Sequence, residues 1–419
     1  MTLFTRLKRL MGDKKGNVLV LGAAAMPLII GSAGLAIDTV QLSLLKRHLQ
    51  RAADTAALAG AYARAQGEDV DAAVDQALTF SNAFPIAEAD TTEPTSGTHA
   101  GRAVQVDLEA TRSLAFMSFF TKGDPTVAVT ATAALVYNGK YCMVALDESA
   151  GTPGITFGGS AYVNARCGVI SNTSGGESVR VNSNGNGQST TVIASPVAGA
   201  GGVPTNGAYN RDPNNPTLLL PYSLKQEDPF KDLPTPSPPM PCLPKITDSS
   251  GPPVAGNCYK GMDVDKAMTL DPGTYYITDD LTLNSKANIT AHGVTLVFTS
   301  ETPTDPTSFP SIKIDGSARL DFTAPQSGTY EGVIMHYDAR GATMDPGPKI
   351  LGNSTSKFEG AFYFPKQHVT FEGHSSMVTN CIQLVALRLT FEGNTTINNS
   401  CPTGGGAKSF DATWVRLVK

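Results

Sequence analysis

Carboxylates and histidines near the C-terminal end of the sequence have the types and spacing for acid–base chemistry. Glu372 and Glu392 each close a TFE triplet before glycine, 20 residues apart, and His374 lies beside the first. If these segments stack as neighbouring strands, the two carboxylates lie about 5 Å apart and could share a proton, as in polysaccharide cleavage. His336 with Asp338 is a second candidate pair. A solvated row of charges at a turn is the simpler interpretation, because nothing else converges there.

Motifs for other chemistries do not occur in the sequence. There is no G-x-S-x-G elbow and no Walker loop, and the runs GAGG and GGG lie in coil rather than between a strand and a helix. No C-x-x-C pair offers zinc ligands at close spacing. We therefore predict no catalytic residue, no metal and no cofactor, and a protein that is not an enzyme.

All six cysteines lie in the part of the chain that follows residue 141. An even number in an exported region predicts disulfides, of which fifteen connectivities are possible. We expect local pairing. The expected pairs are Cys142–Cys167, Cys242–Cys258 and Cys381–Cys401.

The export inference rests on the uncharged segment from Val18 to Ile37, whose 20 residues match the length of a membrane-spanning helix. Five basic residues and one acidic residue precede it, which places the leader in the cytoplasm and everything after Ile37 outside. We predict an uncleaved single-pass anchor in the inner (cytoplasmic) membrane. Processing after Gly16, as in type IV prepilins, is the alternative, although Leu21 replaces the glutamate such substrates usually carry.

A helical pattern continues from the anchor to about residue 84. Five small or aliphatic residues on one face of this pattern predict close helix packing, either on the chain's own domain or on a partner protein. We expect partner packing. The residues are Leu45, Leu49, Ala53, Ala56 and Ala57.

Composition indicates a mainly-β protein beyond this helix. The 41 glycines and 28 prolines favour many turns. The net charge of −5 does not indicate a protein that binds nucleic acid. The predicted regions are a basic leader (1–17), the transmembrane helix (18–37), an α+β stalk unit (38–137), the start of a β domain (138–194), a Pro/Gly-rich excursion or linker (195–262) and a β-helix-like domain (263–419).

Repeated short strands around Gly, Ser or Asn corners suggest how the last region folds. TFEG at 370–373 recurs at 390–393, and Gly352 precedes Gly373 by 21 residues. A period near 20 predicts a parallel β-helix or solenoid, with Phe371 and Phe391 pointing inward. An antiparallel β-sandwich is the alternative.

The stretch from residue 14 to Ala61, and most specifically LQRAADTAALAGA, resembles the N-terminus of TadE/TadG-like proteins of Flp (tight adherence) pilus assembly. Two strands around an aromatic turn at 102–137 fit the same family, and 142–400 is loosely similar to the β-helical extension of some TadG-like proteins. The resemblance implies a membrane-anchored structural or accessory component whose partners are pilus-assembly proteins of the envelope.

Two other functions remain open on the same anchor. One is a β-helical protein that binds or cleaves surface glycans through Glu372 and Glu392. The other is a metal-dependent adhesin, because some TadG-like proteins carry a D-x-S-x-S loop and this chain has Asp147 and Ser149 but Gly151 at the last position. The missing hydroxyl weakens that site.

Overall fold

The computed structural model describes residues 17–81, 86–119, 122–182, 190–204, 209, 217–352, 355–373, 378–399 and 410–418. The chain divides into two compact units. The first comprises Met1–Val136 with Val415–Lys419, and the second comprises Tyr137–Trp414.

The first unit contains two helices, α1 (Asn17–Gln66) and α2 (Val70–Phe80). Alanine and leucine, the strongest helix formers, dominate α1, and Pro27 lies inside it. Gly67 ends α1 with a left-handed φ of 72°, which a residue with a side chain rarely adopts. Asp69 then caps α2 by accepting a hydrogen bond from the Ala72 amide at 3.0 Å.

An antiparallel sheet packs on these helices. Its strands are β1 (Glu88–Thr92), β2 (Ala103–Thr111) and the first part of β3 (Thr126–Ala145), with a short 3-10 helix at Met117–Phe119. β2 and β3 are the two strands that the sequence predicts around an aromatic turn at 102–137. Every second residue of β2 faces the core that α1 and α2 also line.

Short strands make up most of the second unit. The strands that follow β3 are β4 (Ile155–Phe157), β5 (Tyr162–Asn164), β6 (Gly168–Ser171), β7 (Val179–Val181), β8 (Thr191–Ile193), β9 (Val197–Gly199), β10 (Leu219–Leu220), β11 (Ile246–Thr247), β12 (Cys258–Tyr259), β13 (Met262–Val264), β14 (Ala267–Leu270), β15 (Gly273–Ile277), β16 (Leu281–Leu283), β17 (Asn288–His292), β18 (Val294–Phe298), β19 (Ile312–Ile314), β20 (Arg319–Thr323), β21 (Val333–Tyr337), β22 (Lys349–Gly352), β23 (Lys357–Gly373), β24 (Val378–Gly393), β25 (Thr396–Asn398) and β26 (Phe410–Leu417).

Strands β4 to β25 pair in parallel, in three long series and one short one. The first series runs in pairing order β12, β15, β18, β21, β23, β24, β3, β6, β9, β10. The second runs β11, β13, β16, β19, β22, β23, β24, β4, β7. The third runs β14, β17, β20, β23, β24, and a separate sheet joins β25, β5 and β8. The alternative prediction, an antiparallel β-sandwich, is therefore wrong for the described strands. A mainly-β body with a large parallel sheet is confirmed.

The predicted repeat register is confirmed where the two TFEG copies meet. Phe371 pairs with Phe391 and Glu372 with Glu392 along β23 and β24. Less expected is the next step of the pairing order. β24 continues onto β3 and β4, so that Leu389 pairs with Ile155, more than 200 positions earlier in the chain. The first strands of the second unit thus extend the stack formed by its last strands.

One continuous core receives side chains from all three series, including Ile277 and Phe298 of the first, Ile314 and Phe371 of the second, and Leu320 of the third. Stacked aromatic rings run through it. Phe391 stacks on Phe371 and on Phe157, with ring centroids 5.5 and 5.0 Å apart. Such pairs add stabilisation beyond the area that they bury.

The stretch 195–262, predicted as an excursion or linker, contains the paired strands β9 to β12. Between β10 and β11 lies a strand-free segment, residues 221–245, that we call the return segment. Its Phe230 and Leu233 pack on the outer side of the first series, near Tyr363 and Val297. Proline, which cannot donate to a ladder, keeps the segment out of the sheet.

Disulfides occur at two of the expected places in the described residues. Cys142 is joined to Cys167 with their Cα atoms 5.9 Å apart, and Cys242 to Cys258 at 4.5 Å. Cys381 is also disulfide-bonded, and Cys401, its predicted partner, lies outside the described residues.

Candidate functional site

Apolar side chains are exposed on all sides of α1 between Leu21 and Ile30. Leu28 and Ile29 are 75% and 63% exposed, and the next residue, Ile30, is exposed as well. Successive residues of a helix point about 100° apart, so these three exposed side chains do not lie on a single face of the helix. A helix resting on a protein core would bury one face. Among the described residues, the stretch Leu21–Gln66 contains a window of 18 residues that is apolar enough to span a membrane, with a mean hydropathy of 1.7 over that window.

The second half of α1 is packed. Leu45, Leu49, Ala53, Ala56 and Ala57 are all 3% exposed or less and line the core of the first unit, against side chains of α2, β2 and β3. The structure therefore gives these residues a packing surface within their own domain, which is one of the two predicted alternatives. Contact between them and a partner protein stays a prediction, and their burial does not support it.

A buried carboxylate marks the boundary between these halves. Asp38 is 1% exposed, and its Oδ2 accepts hydrogen bonds from the Phe116 and Met117 amides at 2.9 and 2.6 Å. One helical turn earlier, Gly34 touches the Phe116 ring: a Cβ at Gly34 would lie 2.2 Å from that ring. The loop before the 3-10 helix is thus fixed against α1 at two points, neither of which the sequence analysis identified.

Glu372 and Glu392 are paired as predicted, but the side chain of Lys349 forms an ion pair with Glu372. Lys349 on β22 lies with its Nζ 2.9 Å from the Glu372 carboxylate, and this hydrogen bond raises the pKa of the lysine. A proton-sharing pair depends on repulsion between two carboxylates, which the ammonium group relieves. The arrangement is a row of exposed charges. His374, the third predicted member, lies outside the described residues.

His336 and Asp338 do not act together as an acid–base pair. His336 is buried between the rings of Tyr330 and Tyr363, with centroids 5.4 and 5.1 Å away, and burial lowers its pKa to about 4, against a smaller opposing effect of Asp338. Asp338 instead binds Arg340 at 2.6 Å.

These side chains help to hold the return segment in place. Arg340 donates to the Pro236 carbonyl at 2.7 Å, and the Tyr363 hydroxyl donates to Asp228 at the same distance. Further along, the Asn172 amide forms two hydrogen bonds with the Gln226 backbone, both 2.8 Å long. The polar groups on the outer side of the first series therefore have a structural role.

Asp147, the candidate metal ligand, forms an ion pair with Arg388. Burial alone would raise the pKa of Asp147, but hydrogen bonds from Ser149 and Arg388 lower it below its usual value. Arg388 Nε lies 2.6 Å from the Asp147 carboxylate, where a divalent ion would have to bind. Among the described residues, no group of three or more His, Cys, Asp or Glu side chains could hold a metal ion.

Arg388 also belongs to a hydrogen-bond chain that sequence analysis missed. It binds Asp345 at 2.6 Å; Asp345 binds His368 Nδ1 at 2.7 Å, and His368 Nε2 contacts the Thr390 hydroxyl at 2.7 Å. Hydroxyl, imidazole and carboxylate follow the order of a hydrolase triad. Thr390 is only 7% exposed, however, so the network joins strands rather than presenting a nucleophile. The 20-residue spacing of His368 and Arg388, equal to the repeat, was the available signal.

An exposed apolar N-terminal helix followed by a mainly-β body defines a class of protein held to a membrane at one end. Within that class, residues 16–65 match the family model described as "Putative Flp pilus-assembly TadE/G-like". The match covers α1 almost entirely, and the β body lies outside it. Together the helix and the match point to a membrane-anchored protein associated with the pilus-assembly machinery. No curated protein and no solved structure matches the chain.

Proposed function

We propose that this protein is a membrane-anchored structural or accessory component of Flp/Tad pilus assembly. The observation that supports it best is that the family match at 16–65 covers the same helix that exposes apolar side chains on all sides between Leu21 and Ile30. A helix with that surface is stable in lipid. The basic residues before it favour a cytoplasmic N-terminus, with the rest of the chain outside, in the periplasm.

We also propose that the second unit is a parallel β-helix that displays a rigid interaction surface. Its support is the three parallel series, the common core and the in-register stacking of Phe157, Phe391 and Phe371. Stacked strands of this kind bury a continuous core and leave an extended outer surface. Disulfides suit such a body in an oxidising compartment.

Co-purification from membranes tests the proposed role. The tagged full-length chain, extracted in detergent, should recover pilus-assembly proteins. The Leu28→Arg/Ile29→Arg variant should leave the membrane fraction and lose them, because each arginine near the middle of a span costs about 2.5–3.5 kcal/mol on insertion scales.

The matched control carries Leu218→Arg and Tyr222→Arg, which replace exposed apolar residues of the second unit. It should behave as the unaltered chain does. Recovery of no pilus-assembly protein by the unaltered chain would contradict the proposal, and so would membrane release of both variants alike.

Binding or cleavage of surface glycans is the second candidate function, and the in-register pair Glu372 and Glu392 is the observation in its favour. Glu372→Gln and Glu392→Gln should then each abolish glycan binding or turnover. Lys349→Gln removes the ammonium group that contacts Glu372 and should therefore also change glycan binding or turnover. Retention of wild-type glycan binding in both glutamine variants would exclude this site.

A further inference from the structure

We propose that the loop of residues 113–119 is a second membrane contact, in the phospholipid headgroup region beside the outer end of the uncharged segment Val18–Ile37. The inference rests on the proposed membrane anchor and adds a site to it. Its ligand is the lipid surface, at the boundary between headgroups and acyl chains. Three independent features of the first unit carry it.

The first feature is the level at which the loop meets the helix. The Phe116 ring lies directly on the backbone of Gly34, because a Cβ there would overlap the ring at 2.2 Å. Gly34 is three residues before Ile37, the last residue of the uncharged segment, and thus about 4.5 Å inside its end. If this segment spans the bilayer, the ring lies at membrane depth.

The second feature fixes the loop at that level. The Asp38 carboxylate is buried and accepts hydrogen bonds from two successive amides, those of Phe116 and Met117. The first amides of a helix have no acceptor within the helix itself, so a carboxylate at the start of the 3-10 helix is a favourable cap. Asp38 also follows Ile37 directly, so one residue both ends the apolar segment and holds the loop beside it.

The third feature is an exposed apolar side chain in an uncharged loop. Phe119 is 82% exposed, and residues 113–119 read SLAFMSF. Basic residues flank this run at Arg112 and Lys122, the latter exposed. Apolar and aromatic side chains bordered by basic ones are the composition of segments that bury about 5–10 Å into the headgroup boundary. Exposed Phe119 would then be covered by lipid.

Lipid quenching of a tryptophan at position 119 tests this directly. Trp414 is the only tryptophan of the chain, so Trp414→Phe gives a silent background. Full-length Phe119→Trp in that background is reconstituted into vesicles of phosphatidylcholine and phosphatidylglycerol with bromine near the headgroup end of the acyl chains. We expect blue-shifted emission and strong quenching by the brominated lipid.

Phe80→Trp is the matched control, because Phe80 is 83% exposed in the same unit. Val74, in the same helix as Phe80, packs against Gly60 of α1. Gly60 is 23 residues after Ile37, which places it about 34 Å further along α1. Phe80 lies six residues from Val74, at most about 9 Å, and so stays more than about 20 Å from the span. Its replacement should emit as in water and remain unquenched.

Leu28→Trp, reconstituted in a second set of vesicles with bromine near the methyl end of the acyl chains, separates failure of this inference from failure of the anchor. Quenching at position 28 without quenching at position 119 would overturn the loop contact and leave the anchor intact; the loop would then face water or a partner protein. No quenching at either position would overturn both. Asp38→Ala in the Phe119→Trp chain should reduce quenching, and unchanged quenching would exclude Asp38 as the group that positions the loop.

Discussion

The two units of this chain build their cores by opposite means. In the first, the contact between α1 and the sheet is made by small residues such as Ala53, Ala56 and Ala57, so backbones approach closely. In the second, large rings such as Phe371 and Phe391 fill the space between parallel strands. Larger side chains should therefore destabilise the first unit, because they keep its backbones apart. Smaller side chains should destabilise the second unit, because they leave cavities in its core. Substitutions of opposite kind should therefore damage the two units.

The largest effect is expected from truncation in the second unit. Phe391→Ala removes the ring between Phe157 and Phe371 and should destabilise this unit by about 3–5 kcal/mol. Peptide-resolved amide hydrogen exchange should show faster exchange in β4, β23 and β24. Phe80→Ala, at an exposed phenylalanine, is the control and should change nothing. Equal effects of the two variants would mean that the stacked rings do not carry the core.

A pH-dependent effect should follow, again in the second unit. His336 has a pKa of about 4 when folded and about 6.5 when unfolded, so its contribution is complete above pH 6.5 and is lost as the pH falls to 4. The unfolded state binds the extra proton in this range, at a total cost of about 3 kcal/mol.

His336→Phe should flatten this part of the pH profile, as measured by hydrogen exchange of β21 and β23 at pH 7 and pH 4. The Nδ1 of His336 has no hydrogen-bond partner among the described residues, so phenylalanine loses nothing there. An unchanged pH profile in the variant would show that other groups produce the acid sensitivity.

Added volume should damage the first unit. Ala56→Leu forces extra methylenes into the fully buried contact of α1 with the sheet and should cost about 1–3 kcal/mol. Thr55→Leu adds a similar side chain one residue earlier, on the exposed face, and should leave exchange in α1 and β2 unchanged. If both leucines are tolerated, close approach is not what this core requires, and the contrast between the units fails.

The smallest effect concerns local helix geometry. Asp69→Ala removes the cap of α2 and should cost about 1 kcal/mol, seen as faster exchange of the first amides of α2. Asp75→Ala, in the middle of the same helix, should have less effect because no capping bond is lost. Matching losses in the two variants would assign the effect to charge rather than to the cap.

Local patterns in the sequence predicted much of this structure. The apolar segment, the alternating strand around Val104 and Val106, and the in-register Glu372–Glu392 pair all follow from spacing along the chain. The ion pair of Asp147 with Arg388 does not follow from spacing along the chain. Arg388 is 241 residues away from Asp147, and only the pairing of β24 with β3 and β4 brings them together.

By itself the sequence determined an apolar helix long enough for a membrane, a mainly-β body with parallel strands at a period near 20, and local cysteine pairs. These depend on interactions between neighbouring residues or neighbouring repeats. Tertiary structure alone decided that the first strands of the second unit stack on its last, that Asp38 holds the Phe116 loop at the end of the anchor, and that His336 is buried. Each of those contacts joins distant segments, and no local pattern records which apolar or polar surface a distant segment will cover.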